Sequence, residues 1–128
     1  MIGYRMQDKN RDINDLLDPE QQYSFPMDND DEMVRHGVSA CETLAELAAY
    51  IACYAIQAGD PIIVEVEGPV SDDEPCDADA GEILLLPTRA EQVTDDDAFF
   101  ALVSDLVDLR WEQGLEYRDL LEIAEDRI

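Results

Sequence analysis

SACETLAELAAYIACYAIQAGDPIIVEVE, residues 39–67, contains the two strongest secondary-structure signals of this chain. Its first part repeats apolar residues at helical spacing, which predicts an amphipathic helix. Ser39 is a suitable N-cap, and Glu42 three residues later completes a capping box. Gly59, followed by Pro61, ends the predicted helix. The predicted apolar face consists of Leu44, Leu47, Ala48, Ile51, Tyr54, Ala55 and Ala58.

The second part of the stretch alternates in polarity and predicts a strand over residues 62–67. Ile62, Val64 and Val66 lie on its buried side, and the opposite side ends in glutamates. The continuous apolar run 83–86 predicts another strand. With helical patterns before and after these strands, we expect an α+β fold: a small single domain with a short antiparallel sheet packed by two to three helices.

The first 32 residues are polar and end in a group of acids. We interpret residues 1–32 as an acidic N-terminal arm and residues 33–128 as the α+β domain. Since no apolar run approaches about 18 residues and the N-terminus lacks the apolar core of a signal peptide, we expect a cytoplasmic protein.

Charge restricts the functions open to this chain. It has 32 Asp and Glu residues against 8 Lys and Arg residues, a formal net charge of −24 on 128 residues. The 46% apolar content indicates a folded chain and not a disordered one. Binding to nucleic acid or to anionic membrane relies on Lys and Arg. The composition therefore predicts a basic protein as partner, and it is compatible with a homodimer.

Residues 94–127 predict one or two further helices. Thr94 is a suitable N-cap, with three aspartates in the first turn. At Gly114 either one long helix continues or two helices meet, and the cost of about 1 kcal/mol for glycine in a helix favours a hinge. The acids occupy a narrow arc of the helical wheel, with Arg110 on the opposite side. Trp111, near the hinge, is interpreted as a packing residue.

Carboxylates four residues apart in a helix are separated by about 6 Å along its axis, a regular spacing of negative charge like that of nucleic-acid phosphates. We therefore expect a non-enzymatic mimic of nucleic acid. It would bind and inhibit or regulate a basic nucleic-acid-binding protein, such as a defence nuclease, a restriction enzyme or a nucleoid protein. The predicted partner-binding residues are Asp95, Asp96, Asp97, Asp105, Asp108, Glu112, Glu116 and Asp119, with Asp72, Asp73, Glu74, Asp77 and Asp79 from the loop before residue 83.

Two alternatives explain the same acids. A salt-adapted domain would use them for solubility in concentrated salt, where screening removes their repulsion, although their grouping along the chain disfavours this interpretation. A calcium- or magnesium-binding module would use the loop acids as oxygen ligands. The run that begins at Asp77 resembles the start of a calcium loop, but Gly81 occupies a ligand position and no glutamate follows at the twelfth.

Catalytic motifs are weak. His36 precedes Cys41 by five residues, which allows a cysteine–histidine pair, but Cys41 falls toward the apolar face of the predicted helix. The chain has no Cys-x-x-Cys, phosphate-binding glycine loop or Gly-x-Ser-x-Gly. We expect neither enzymatic activity nor a metal or other cofactor.

Overall fold

The computed structural model describes residues 1–24 and 34–128, in which four strands precede the first α-helix, three strands follow it, and two α-helices end the described chain. The strands are β1 (Ile2–Asp8), β2 (Tyr23–Ser24), β3 (Arg35–His36), β4 (Val38–Cys41), β5 (Pro61–Glu67), β6 (Glu82–Leu85) and β7 (Arg89–Val93). The helices are α1 (Leu44–Tyr54), α2 (Asp97–Gln113) and α3 (Tyr117–Arg127), with short 3₁₀ turns at Ile13–Leu17, Pro19–Gln21 and Ala78–Ala80. The expected small α+β domain is confirmed.

Five strands form the main sheet in the order β6-β4-β1-β5-β7, all antiparallel, and β2 pairs with β3 in a separate two-stranded sheet. β1 occupies the centre, where Tyr4 lies opposite Cys41 of β4 on one side and opposite Glu65 of β5 on the other. The predicted strand at 62–67 is confirmed, with one further residue at its start.

The interpretation of the N-terminus as a polar arm needs correction for the residues described. Residues 2–8 form the central strand, and Leu16 is buried against the face of the sheet opposite the helices. Buried Gln22 fixes this segment, because its side-chain amide donates to the carbonyls of Leu16 (2.8 Å) and Pro87 (3.0 Å). The proposed boundary at residue 32 lies outside the described residues.

α1 is mostly buried, with Tyr54 exposed at its end. It packs on the sheet and contacts both α2 and α3. Its alanines at 45, 48, 49 and 52 are buried, and these small side chains let neighbouring elements approach from several directions. An apolar helix of this kind belongs in a core.

The start predicted for this helix is wrong. Residues 38–41 form β4, and Thr43 is the N-cap, where its hydroxyl accepts a hydrogen bond from the Glu46 N–H (3.1 Å). The helix ends before Gly59, with Ala55 in the left-handed conformation (φ 51°). The backbone groups of residues 38–41 form hydrogen bonds with β1 and β6 in the sheet instead of hydrogen bonds within a helix.

The C-terminal acids lie on two helices. Asp96, and not Thr94, is the N-cap of α2, so only Asp97 of the three aspartates is in its first turn. α2 ends at Gly114, which adopts φ 65° and turns the chain out of the helix. The predicted hinge is therefore a complete break. No helix in the described part of the chain is long and apolar enough to cross a membrane.

Candidate partner-binding surface

The outer face of α2 carries its acids. Phe99, Leu102 and Leu106 are buried on the inner side, whereas four acidic side chains on the other side are exposed: Asp97, Asp105, Asp108 and Glu112. The helical period of about 3.6 residues separates the two sets. The arrangement puts a row of carboxylates in solvent, as the sequence predicts.

The acids of α3 do not continue this row on one helix, because the chain breaks at Gly114. Glu116 is the N-cap residue of α3, and its backbone N–H donates to the carboxylate of Asp119 (3.1 Å). Both side chains are exposed. Asp119 thus stabilises the start of α3, which is a structural task in addition to the predicted one.

Arg127, in the last turn of α3, forms an ion pair with Asp105 in the middle of α2 (2.7 Å). With only a short turn between the helices, this contact requires α3 to fold back alongside α2. The acids of both helices consequently belong to one helical hairpin, and the charge of Asp105 is neutralised locally.

Three exposed carboxylates of α2 have no partner among the described residues: those of Asp97, Asp108 and Glu112. Asp108 and Glu112 make no hydrogen bond or ion pair with any residue in 1–24 or 34–128. They are exposed and four residues apart, so they are neighbours on the helix surface. They are the two unpaired acids of the predicted set that adjoin each other on the surface of α2.

Trp111 is not a packing residue. Its side chain is 78% exposed, the highest value among the large apolar side chains of the described residues. Trp111 follows Asp108 by three residues, and residues so spaced are neighbours on a helix surface. That spacing, visible in the sequence, places Trp111 beside the acids. Periodicity alone did not reveal that the side of α2 that carries Trp111 is exposed.

A groove of about 460 Å³ lies between the end of α2 and the start of α3. Trp111 forms part of its wall, and the other lining residues are Cys53, Arg110, Gly114, Leu115, Glu116 and Tyr117. Arg110 is half-buried, and its Nε is buried without a hydrogen-bond partner among the described residues. The groove side of Trp111 therefore has both Arg110 and the exposed acid Glu116 nearby, while its outer side is near Asp108.

The predicted residues at the start of α2 have different environments. Asp95 is exposed and lies outside the helix, and Asp96 is half-buried at the N-cap, where its carbonyl accepts from the Phe100 N–H (3.0 Å). Asp97 is in the first turn, where the helix dipole favours negative charge. Of these three residues only Asp97 belongs to α2, and Asp95 and Asp96 precede the helix.

The acidic loop at 72–79 contacts other parts of the fold. Asp73 accepts from the backbone N–H of His36 (2.7 Å), and Asp77 accepts from the hydroxyl of Tyr50 in α1 (2.8 Å). Asp72, Glu74 and Asp79 are exposed. Within the described chain, no hydrogen bond or ion pair joins this loop to α2 or α3. The structure therefore does not join the loop and the hairpin into one site.

A second acidic group, which the sequence did not single out as a site, lies on the sheet. Arg89 forms ion pairs with Glu65 (2.8 Å), Glu67 (3.3 Å) and Glu91 (3.3 Å). The hydrogen bond from Arg89 is the main reason that the pKa of Glu65 is lowered. One arginine thus partly neutralises three glutamates here, in contrast to the unpaired acids of α2.

The environment of Cys41 does not suit a nucleophile. Its thiol is buried, and burial, with smaller contributions from Glu46 and Glu82, raises its pKa to about 12. A reactive cysteine needs a lowered pKa. His36 lies in the separate small sheet and packs against Tyr23 with ring centroids 5.1 Å apart.

Metal ligands do not converge in the described residues: no group of three or more His, Cys, Asp or Glu side chains is arranged to hold a metal ion. The chain matches no protein-family model, no curated protein and no solved structure.

Proposed function

We propose that this protein is an acidic mimic of nucleic acid that binds the basic nucleic-acid-binding surface of another protein and thereby inhibits or regulates it. We further propose that it does so in the cytoplasm, without catalysis. The target would be a protein whose own ligand is a nucleic acid, such as a nuclease, a restriction enzyme or a nucleoid protein.

The observation that carries this proposal is the unpaired state of Asp108 and Glu112. Arg127 neutralises Asp105 on the same face of α2, and Arg89 neutralises the glutamates of the sheet. The outer face of α2 still leaves exposed carboxylates about 6 Å apart along the axis. A basic groove that accepts phosphates would complement such a row, and complementary charge accelerates association and suppresses wrong partners.

The test is capture of a partner from a lysate of the native host at low salt, followed by elution with double-stranded DNA. We expect a basic protein that is released by DNA and by high salt, because both compete for the same charged surface. Capture of no basic protein at low salt, or a captured protein that DNA does not displace, would contradict the proposal.

A pair of variants locates the contact. Asp108→Asn with Glu112→Gln should weaken the complex about tenfold, since an exposed ion pair contributes up to ~1 kcal/mol. The matched control is Glu42→Gln with Asp60→Asn, which removes the same charge from exposed positions outside α2 and α3. If both double variants bind equally, net charge alone attracts the partner, and the assignment to α2 is wrong.

A further inference from the structure

Trp111 is the single tryptophan of the chain, and its 78% exposure is unusual for so large an apolar side chain. Tryptophan is among the residue types most enriched at the energetic centres of protein interfaces. It is also the best aromatic acceptor for a cation placed over its ring. This position therefore offers a recognition element that charge alone does not provide.

The neighbours of Trp111 determine which ligand fits. Asp108 is three residues before it and four before Glu112, so Asp108 adjoins both on the helix surface. Neither of these two carboxylates has a hydrogen-bond or ion-pair partner among residues 1–24 and 34–128. Arg110 points about 100° away from Trp111 around the helix and is half-buried in the groove on the inner side. A cation is consequently attracted to the outer side of the tryptophan by unpaired acids, whereas on the groove side Arg110 offsets the charge of Glu116.

We propose that Trp111, Asp108 and Glu112 form the binding site for an arginine side chain of the partner. This inference rests on the proposed function, and it adds the chemistry of the contact. A guanidinium group is planar, stacks on aromatic faces and donates from a rigid fork to carboxylates. A lysine ammonium gains the charge attraction but lacks the flat stacking surface. The site therefore selects arginine over lysine.

The experiment compares a nona-arginine peptide with a nona-lysine peptide as probes of the full chain at low salt. Affinity is measured by calorimetry, and the fluorescence of Trp111, the single tryptophan, reports directly on the contact. We expect the arginine peptide to change this fluorescence more strongly. In Trp111→Leu its affinity should fall about two- to fivefold, the effect of an exposed cation–π contact, while the affinity for the lysine peptide changes less than twofold.

Tyr54→Leu is the matched control, because Tyr54 is an exposed aromatic residue at the end of α1, and it should leave both affinities unchanged. Unchanged affinity of Trp111→Leu for the arginine peptide, with a folded protein by circular dichroism, would overturn the inference. If the wild-type protein binds both peptides but does not distinguish them, the arginine site is wrong and the proposed function stands. Failure to bind either peptide would overturn both.

Discussion

The three cysteines occupy three environments: Cys41 is buried in the core, Cys53 is half-buried at the groove, and Cys76 is exposed in the acidic loop. Burial of Cys41 raises its pKa from 9.0 to about 12. A folded-state pKa above the unfolded value means that the native state holds a proton that the unfolded chain has already released. The protonated thiol therefore stabilises the fold below pH 9, and this contribution is lost as the pH rises toward 12.

We predict that the free energy of unfolding falls between pH 9 and 10 with a contribution from Cys41 of up to about 1.4 kcal/mol per pH unit. Chemical denaturation at several pH values measures the slope. Cys41→Ala should lower stability at neutral pH and make the slope shallower. A thiol reagent at mildly alkaline pH should modify Cys76 quickly and Cys41 only on unfolding. Rapid modification of Cys41 in the folded protein would show that its thiol is not protected.

At the scale of the elements, the strongly periodic segments were predictable. α1 and β5 follow from their spacing of apolar residues. β1 could not be predicted from such a spacing, because Arg5 and Gln7 occupy positions where a strand buried on both faces would carry apolar residues. The fold accommodates both: Arg5 donates to the carbonyl of Ser39 (3.2 Å), and Gln7 donates to that of Arg11 (3.4 Å). The partner of Arg5 is 34 residues away in the chain and cannot be inferred from local sequence.

β4 shows a different limit. The small residues at 38–41 are compatible with a helix or a strand, and pairing with β1 and β6 makes the segment a strand.

The candidate surface was also only partly predictable from the sequence. The exposed acids of α2 follow from the helical wheel, whereas the ion pair of Asp105 with Arg127 and the exposure of Trp111 depend on how α3 folds back.

Gly114 makes that turn possible, since its φ of 65° is strained for a residue with a Cβ atom. An added Cβ would meet no atom within 4 Å, so the cost of a substitution here is conformational alone. We predict that Gly114→Ala lowers the free energy of unfolding by about 1 kcal/mol, measured by urea denaturation. Gly114→Asn should cost less, because asparagine tolerates this conformation better. Equal stability of all three proteins would mean that this turn is not a constraint on the fold.

Over the whole molecule, the −24 charge is unevenly compensated. Arg89 and Arg127 form ion pairs with acids on the sheet and on the helical hairpin, while Asp108 and Glu112 on the outer face of α2 form none within the described residues. A surface that is adapted only to concentrated salt is not expected to have paired acids in some places and unpaired acids in others. The two explanations of the charge therefore predict different responses to added salt.

We predict that the protein is folded at about 0.1 M NaCl, where the screening length is still ~10 Å, and that its melting temperature rises by several degrees toward molar NaCl as repulsion is screened. Circular dichroism melting curves over this range measure the effect, with tetramethylammonium chloride in place of NaCl to exclude specific sodium binding. A chain that is unfolded at the lower concentration and folds only in molar salt would instead be salt-adapted.

The central position of β1 has a kinetic consequence. Both of its neighbours come later in the chain: β4 begins at Val38, and the bond from Tyr4 to Glu65 of β5 spans 61 residues. The sheet therefore cannot grow from a local hairpin at its first strand, and long loops must close before the centre forms, which slows folding. Until then β1 exposes two unpaired edges that could template association with another copy. Mutual repulsion between these highly acidic chains would keep the copies apart during that interval.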